Sequence, residues 1–172
     1  MSAGIILTEL HGIELGIDGQ GNLCLNTKGK TAENVQLGNT PGLVGKGIPT
    51  SVVVTNAIGA SSNICNVTLQ VSDVLGNAVS GVFDMDILLS DAATGVGLTA
   101  TTASGGIAAV SGSGSIIGTF TASKAARIQT NASGVFTLAI TDTAKTGFYP
   151  VAQFDNYSAF VGAQLTTASY HS

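Results

Sequence analysis

The carboxylates that stand closest to a possible site in the sequence are Asp84, Asp86 and Asp91. A hard cation such as Ca²⁺ needs several oxygen ligands, and an Asp-x-Asp pair with a third aspartate nearby could supply them. The glycine and distal glutamate of a calcium-binding loop are missing, however, and alternation along a β-strand explains the spacing of Asp84 and Asp86 without a metal. We therefore predict a solvated strand face followed by a turn aspartate, with no metal ligand and no cofactor.

Serine and threonine are abundant, but a serine nucleophile needs a nearby base and a group that orients that base. His11 and His171 stand at opposite ends of the sequence, and residues 111–115 (SGSGS) do not form the G-x-S-x-G elbow. A zinc site would need paired ligand spacings, and the two histidines are as solitary as Cys24 and Cys65. The sequence therefore predicts no catalytic residue and no enzyme activity.

The two cysteines, Cys24 and Cys65, lie far apart in the sequence, which leaves a disulfide open. Residues 1–10 lack the basic region of a secretion signal and include Glu9. Because disulfides are rare outside oxidising compartments, we favour two buried free thiols over a disulfide.

Low charge is the main feature of the composition. The 172 residues are 44% hydrophobic but only 9% charged, with a net charge of −4. A surface with so few charges is typical of a protein that partners or further copies of itself cover, so a homo-oligomer is predicted. The six basic residues are scattered, which argues against nucleic acid as a partner. No apolar run approaches the roughly 20 residues that span a bilayer, which argues against a membrane.

Alternating apolar and polar residues predict β-strands and almost no helix. In residues 82–89 the two aspartates at 84 and 86 alternate with apolar positions, so the strand is half-buried. The apolar positions of its core face are Phe83, Met85, Ile87 and Leu89. Further strands are predicted at residues 50–56, 64–72, 98–102, 116–121, 125–130, 135–142 and 148–154.

Three features interrupt this pattern. Residues 104–115 are a low-complexity Gly/Ala/Ser segment, predicted as an exposed loop or a loose sheet edge. Residues 121–127 permit a helical turn as an alternative to a strand, because alanine and lysine favour helix. Pro150 predicts an edge strand or a bulge, because proline cannot donate a hydrogen bond to a sheet ladder.

Short strands separated by turn residues predict an all-β antiparallel β-sandwich, with a barrel as the nearest competitor. Residues 50–153 form this sandwich, and residues 1–49 form an extended N-terminal arm with short strands, docked on a neighbour or mobile. The apolar character of the arm favours docking. Residues 154–172 are a tail that packs on the sandwich or on a partner, and its aromatic residues serve either purpose equally well. These residues are Tyr157, Phe160 and Tyr170.

Two extended motifs mark the central region. The pattern V-x-D-x-x-G-N-x-V-x-G-V occupies residues 71–82, and T-x-A-x-G-x-F-x-L-x-I occupies residues 130–140, with G-F-Y at residues 147–149. Together they resemble the hairpin, the following strand and the closing strand of bacterial and phage immunoglobulin-like domains. Residues 88–105 and 140–152 are similar in wording to such modules in virion proteins of tailed bacteriophages. The resemblance covers residues 50–153 and leaves out the arm and the tail.

The resemblance implies an immunoglobulin-like fold and a structural role in the virion. The role it favours is that of a capsid decoration (cement) protein, made in the host cytoplasm and located on the capsid surface of the virion. Its partners would be the major capsid protein and copies of itself. The alternatives are a host-surface or carbohydrate-binding module of a tail or fibre, with residues 92–114 as the binding surface, and a tail-tube subunit. The motifs specify turn and core positions, so they predict fold better than function.

Overall fold

In the computed structural model the chain divides into two compact units, Met1–Lys46 and Gly47–Ser172. The structure describes the strand backbones of the first unit and, with side chains, residues 49–154 and 158–172. The strands of the first unit are β1 (Ile5–Leu10), β2 (Ile13–Ile17), β3 (Leu23–Thr27) and β4 (Val35–Gln36). Each strand pairs antiparallel with the next, so the short strands of the predicted arm form one sheet in the order β1-β2-β3-β4.

The second unit is an antiparallel β-sandwich, which confirms the predicted all-β fold class. Its strands, over the described residues, are β5 (Ser51–Ile58), β6 (Ile64–Ser72), β7 (Asp84–Ser90), β8 (Gly106–Ala109), β9 (Ser115–Thr121), β10 (Ala125–Gln129), β11 (Val135–Thr141), β12 (Tyr149–Phe154) and β13 (Ser158–Val161). Sheet I has the order β5-β6-β11-β8, and sheet II has the order β13-β12-β7-β10-β9. The strand at 106–109 lies at an edge of sheet I, which is the second of the two alternatives predicted for residues 104–115.

The core lies between the two sheets and consists of the alternate residues that the sequence indicated. On β7, Met85, Ile87 and Leu89 are buried, whereas Asp84 is exposed and Asp86 is half-buried, which confirms the predicted faces. Fully burying a large aliphatic side chain contributes about 1.5–3 kcal/mol, so the alternation holds the sheets together. Further buried side chains lie on β10 beside β7 and on β6 and β11 of sheet I. They are Cys65, Val67, Leu69, Val71, Ala126, Ile128, Phe136, Leu138 and Ile140.

The two outer faces of the sandwich differ in charge. The outer face of sheet II carries Asp84, Asp86 and Arg127, with Gln129 and Gln153 beside them in the register. The outward positions of sheet I are all uncharged. They are Val53, Thr55, Ala57, Asn66, Thr68, Gln70, Ala108, Val135, Thr137 and Ala139.

The strand predicted at residues 98–102 is wrong. This segment belongs to the loop between β7 and β8, and Thr99 N–H donates to the carbonyl of Leu89 at 2.8 Å. The next amide, that of Ala100, donates to the Asp91 carboxylate at 2.8 Å. A side chain thus takes the place that a partner strand would fill, and alternation alone cannot reveal this.

The edge strand predicted from Pro150 is also wrong, because β12 lies between β7 and β13, and the alternative of a bulge is wrong because β12 pairs with β7 in unbroken register. The Pro150 carbonyl accepts the Gly162 N–H at 2.8 Å, one rung beyond the end of β13. Pro150 therefore lies at the end of the ladder between β12 and β13, where a missing N–H group interrupts the ladder least.

Strand β9 lies at an edge of sheet II and contains two bulges. In its ladder with β10, Ala126 pairs with Thr119 and Ala125 with Thr121, so Phe120 is passed over. Ile117 is passed over in the same way. Both bulged side chains are exposed. Residues 122–124 then turn into β10 without a helix, so the helical alternative for residues 121–127 is wrong.

The C-terminal segment packs on the sandwich. Leu165 and Tyr170 belong to the buried core, and Phe160 packs against its margin. The Tyr170 hydroxyl donates to the Thr146 carbonyl at 2.9 Å, and burial raises the pKa of Tyr170. Tyr157 lies outside the described residues.

Candidate functional site

The predicted carboxylate cluster does not assemble as one site. Asp84 accepts a hydrogen bond from the Gln129 amide at 3.0 Å, while Asp86 Oδ1 lies 3.6 Å from the Arg127 guanidinium. Asp91 has other partners, in the loop after β7. Within the described residues, no three His, Cys, Asp or Glu side chains gather as metal ligands. Asp84 and Asp86 therefore belong to the polar outer face of sheet II, as the alternation predicted.

Asp91 fixes the loop of residues 91–105, which we call the β7–β8 loop. One carboxylate oxygen accepts from the Thr99 hydroxyl at 2.5 Å, and the other accepts from the Ala100 N–H at 2.8 Å. The Thr99 hydroxyl, the Ala100 amide and the charge of Lys124 hold the pKa of the Asp91 carboxyl below its usual value. The carboxylate thus stays charged at neutral pH and holds the two halves of the loop together.

Lys124 fastens the same loop to the β9–β10 turn. Its ammonium donates to the carbonyls of Thr99 and Ala100, at 2.9 and 2.7 Å. Closer to β7, the Ser90 hydroxyl donates to the Val96 carbonyl at 3.2 Å. These bonds determine the course of the loop, so its side chains are presented in a fixed arrangement.

The β7–β8 loop presents aliphatic side chains to solvent. Val96 is 76% exposed and Leu98 is 42% exposed. On its inner side the loop lies so close to sheet II that a Cβ on Gly95 would stand 2.6 Å from Val161 and 3.1 Å from Val151. A fixed loop with bare aliphatic tips is a surface that a partner can bind with little loss of conformational entropy.

The first motif forms a second loop, at the opposite end of the sandwich. Asp73 is buried, and its Oδ1 accepts the N–H groups of Leu75 and Asn77, each at 2.9 Å. Gly76 adopts a left-handed φ of 81°, which glycine tolerates best. Val74 is exposed on this loop. The aspartate, the glycine and the asparagine of the motif thus have structural roles.

The second motif joins this loop from β10. The Thr130 hydroxyl accepts the Phe83 N–H at 2.9 Å and donates to the Gly81 carbonyl at 3.2 Å. Gly134 has φ 74°, and a Cβ on it would lie 2.1 Å from the Val79 carbonyl oxygen. The turn residues of the two motifs therefore specify one interlocked end of the sandwich.

Asp142 is a third loop-holding carboxylate, and sequence analysis did not single it out. It is buried, and it accepts the N–H groups of Thr146 at 2.8 Å and Ser104 at 3.2 Å. Burial by itself raises the pKa of Asp142, but the hydrogen bonds from Thr146 and Ser104 outweigh it and lower the pKa. The only sequence signal was an aspartate directly after a strand and before turn residues.

Among the described residues, the remaining reactive side chains show no catalytic arrangement. Cys65 is a buried free thiol, as predicted, and burial raises its pKa to about 11, so it is protonated and unreactive at neutral pH. His171 lies in an open depression of about 670 Å³ together with Lys145 and Ile58. An open depression does not exclude water, which enzyme sites commonly do. The side chains of Cys24 and His11 lie outside the described residues.

The geometry of the second unit defines a class of protein. It is an antiparallel β-sandwich with fixed loops at both ends, and the described part of the chain contains no helix long and apolar enough to cross a membrane. No protein-family model, no curated protein and no solved structure matches the chain.

Proposed function

We propose that this chain is a non-enzymatic structural protein of a tailed-phage virion. Its specific role would be that of a capsid decoration protein, which binds and stabilises the lattice of the major capsid protein. The resemblance of residues 71–82, 130–140 and 147–149 to phage immunoglobulin-like modules supports the virion context. The resemblance fits a capsid and a tail equally, so support for the capsid role comes from the loops and exposed side chains of the sandwich.

The observation that carries the proposal is the use of the loop carboxylates. Asp73, Asp91 and Asp142 each accept hydrogen bonds from backbone amides of their own loops. A carboxylate occupied in this way orders a loop and is not free to act as a base or a nucleophile. The same loops expose Val96 and Val74, so the molecule uses its charges to fix apolar contact points. This suits a binding protein better than an enzyme.

The immunoglobulin-like topology is part of the proposal. In constant-type immunoglobulin domains, strands A, B, E and D form one sheet and C, F and G the other. The order β5-β6-β11-β8 of sheet I supports a correspondence with strands A, B, E and D. In sheet II, β7, β12 and β13 would correspond to C, F and G. The hairpin β9–β10 extends sheet II beside β7, where variable-type domains carry C′ and C″. It follows β8 in the chain, whereas C′ and C″ precede strand D, and this is the departure from that family.

The protein would stabilise the capsid by binding across its subunits. The first unit and the exposed edges and loops of the sandwich would lie across neighbouring capsid subunits and add strand pairing and buried apolar area at the joints. Fixed loops make such binding more favourable because little conformational entropy is lost on contact. Copies placed over many equivalent joints would stabilise the whole shell.

Deletion of Met1–Lys46 tests the proposal, because the unit boundary lies at that residue. The assay measures binding to capsids assembled from the major capsid protein encoded in the same genome. We expect the full chain to decorate the capsids and the truncated chain to lose decoration, while circular dichroism shows that its β-sandwich remains folded. Full decoration by the truncated chain would disprove the role of the first unit, and no decoration by the full chain would disprove the capsid role.

The fixed β7–β8 loop also favours a second candidate, a host-surface or carbohydrate-binding module with residues 92–114 as its binding surface. Immunoglobulin-like scaffolds present loops in this manner. Saturable binding of the full chain to bacterial surface glycans on an array, with no binding to capsids, would favour this candidate. Absence of glycan binding would remove it.

A further inference from the structure

The outward positions of sheet I are half-buried or exposed, and none of its described residues is charged. Its outward positions are threonine, alanine, valine, asparagine and glutamine. The charged side chains on the strands of the sandwich, Asp84, Asp86 and Arg127, all belong to sheet II. Ordinary protein surfaces carry charged residues at roughly a quarter of their positions, whereas the centres of interfaces are depleted of charge. The face therefore has the composition of an interface centre.

Several polar groups of this face are already hydrogen-bonded within the protein. Thr55, Thr68 and Thr137 form one row across three strands, and the hydroxyls of Thr68 and Thr137 are 3.1 Å apart. The Gln70 amide donates to the Val71 carbonyl at 2.9 Å. Burying a polar group costs much less when it keeps its hydrogen bond, so covering this face with another surface is inexpensive.

The side chains of the face also lose little entropy on contact. Threonine and valine are stiff at χ1, and alanine has no rotamers to lose. Val53 is nevertheless 45% exposed, and Thr55 and Ala57 are exposed on the same strand. A flat surface of short, stiff side chains can pack closely against a second flat sheet, as the two sheets of a sandwich do at about 10 Å.

We infer that the outer face of sheet I binds the same face of a second copy of this chain. The charge distribution supports this occupant, because stacking the two uncharged faces leaves the charged faces of both copies of sheet II on the outside. The acidic net charge of −4 thus opposes the contact only from a distance. The contact would be two-fold symmetric, with each copy offering the same residues.

The area of the face limits the strength of the dimer. Four strands about 4.8 Å apart and about seven residues long cover roughly 400 Å² per copy, or roughly 800 Å² for two. This lies at the lower limit of protein interfaces, where association is weak and reversible. We expect a dissociation constant typical of weak, reversible contacts, which matters where many copies are held side by side. The inference does not depend on the capsid role, because it concerns the free protein.

The test is sedimentation velocity of the full chain from about 10 μM to about 1 mM, a range chosen to span the expected dissociation constant. Ala139→Lys places a charge on a central strand of the face. Ala159→Lys makes the same change on exposed strand β13 of sheet II and is the control. Thr55→Lys places the charge on an exposed position of the same face and serves if Ala139→Lys fails to fold in circular dichroism.

We expect reversible dimerisation of the unchanged chain, at least a tenfold increase in the dissociation constant for Ala139→Lys or Thr55→Lys, and less than a twofold change for Ala159→Lys. A monomer throughout the concentration range would overturn the inference. So would equal weakening by the variants on both sheets, or dimerisation that the sheet I variants leave unchanged. Capsid decoration is measured separately, so each proposal can fail without the other.

Discussion

Two loops at opposite ends of the sandwich are each held by one aspartate, but Asp73 is buried and Asp91 is exposed. Asp73 binds the backbone amides of an exposed turn, and directly after that turn Gly134 lies against Val79. Asp91 holds its loop at the surface, with help from Lys124. Both ends expose aliphatic side chains.

The two ends of the sandwich differ in what happens to the backbone amides when their aspartate is removed. At the Asp73 end, the carboxylate is packed in the interior, so its loss leaves a gap and also leaves two amides, those of Leu75 and Asn77, without their acceptor. At the Asp91 end, water can reach the freed Ala100 amide. We infer that the first loop is needed for folding and that the second can change without loss of the fold. The second is therefore the better place for a contact with a partner.

The largest effect is expected at Gly134, where two costs add. Gly134→Ala places a Cβ at φ 74° and 2.1 Å from the Val79 carbonyl oxygen. We expect the free energy of unfolding to fall by about 3 kcal/mol or more. Gly97→Ala is the matched control in the β7–β8 loop, because φ is 81° but its Cβ would meet nothing within 4 Å. A loss of about 1 kcal/mol is expected there. Equal losses in urea denaturation would contradict the comparison.

The next largest effect is expected on removing the buried carboxylate. Asp73→Ala leaves the amides of Leu75 and Asn77 without their acceptor, and we expect a loss of about 2–4 kcal/mol. Asp91→Ala should shift the urea midpoint much less, because water replaces the exposed acceptor. The two variants are compared by their urea midpoints at neutral pH. A larger shift for Asp91→Ala would reverse the assignment of the two ends.

A moderate effect is expected from pH, through Asp142. Its pKa is lowered in the folded state, so the unfolded chain binds this proton more readily in acid. The stability that Asp142 contributes is therefore present above its unfolded pKa of about 3.9 and is lost as the pH falls through the lower folded pKa. We expect Asp142→Asn to be less stable at neutral pH and to lose less stability on acidification. Parallel stability curves for the two proteins would contradict this.

The smallest effect on stability is expected at the exposed aliphatic tips. Val96→Asp and Val74→Asp should each change the free energy of unfolding by less than about 0.5 kcal/mol, because both side chains are mostly exposed. The two should differ in capsid binding. We expect Val96→Asp to weaken it at least tenfold and Val74→Asp to leave it within twofold. The reverse order would assign the contact to the Asp73 end.

Alternation in the sequence predicted the sandwich because each strand buries every second residue, as Met85, Ile87 and Leu89 do on β7. It failed where the hydrogen-bond partner of a segment is distant or is a side chain. Residues 98–102 bond to Asp91, and Pro150 lies in an inner strand because the tail adds β13 beside it. The roles of Asp142 and of the uncharged face depend on strand order, which short-range patterns do not contain.

The bulges of β9 bear on how copies of this chain can assemble. An open sheet edge permits endless strand addition from one molecule to the next, and β9 carries no charged residue. At Ile117 and Phe120 the strand carries extra residues, which break the regular spacing of its backbone groups and increase its twist. A new strand therefore finds no regular ladder to extend. Self-association by strand addition at the β9 edge is therefore disfavoured.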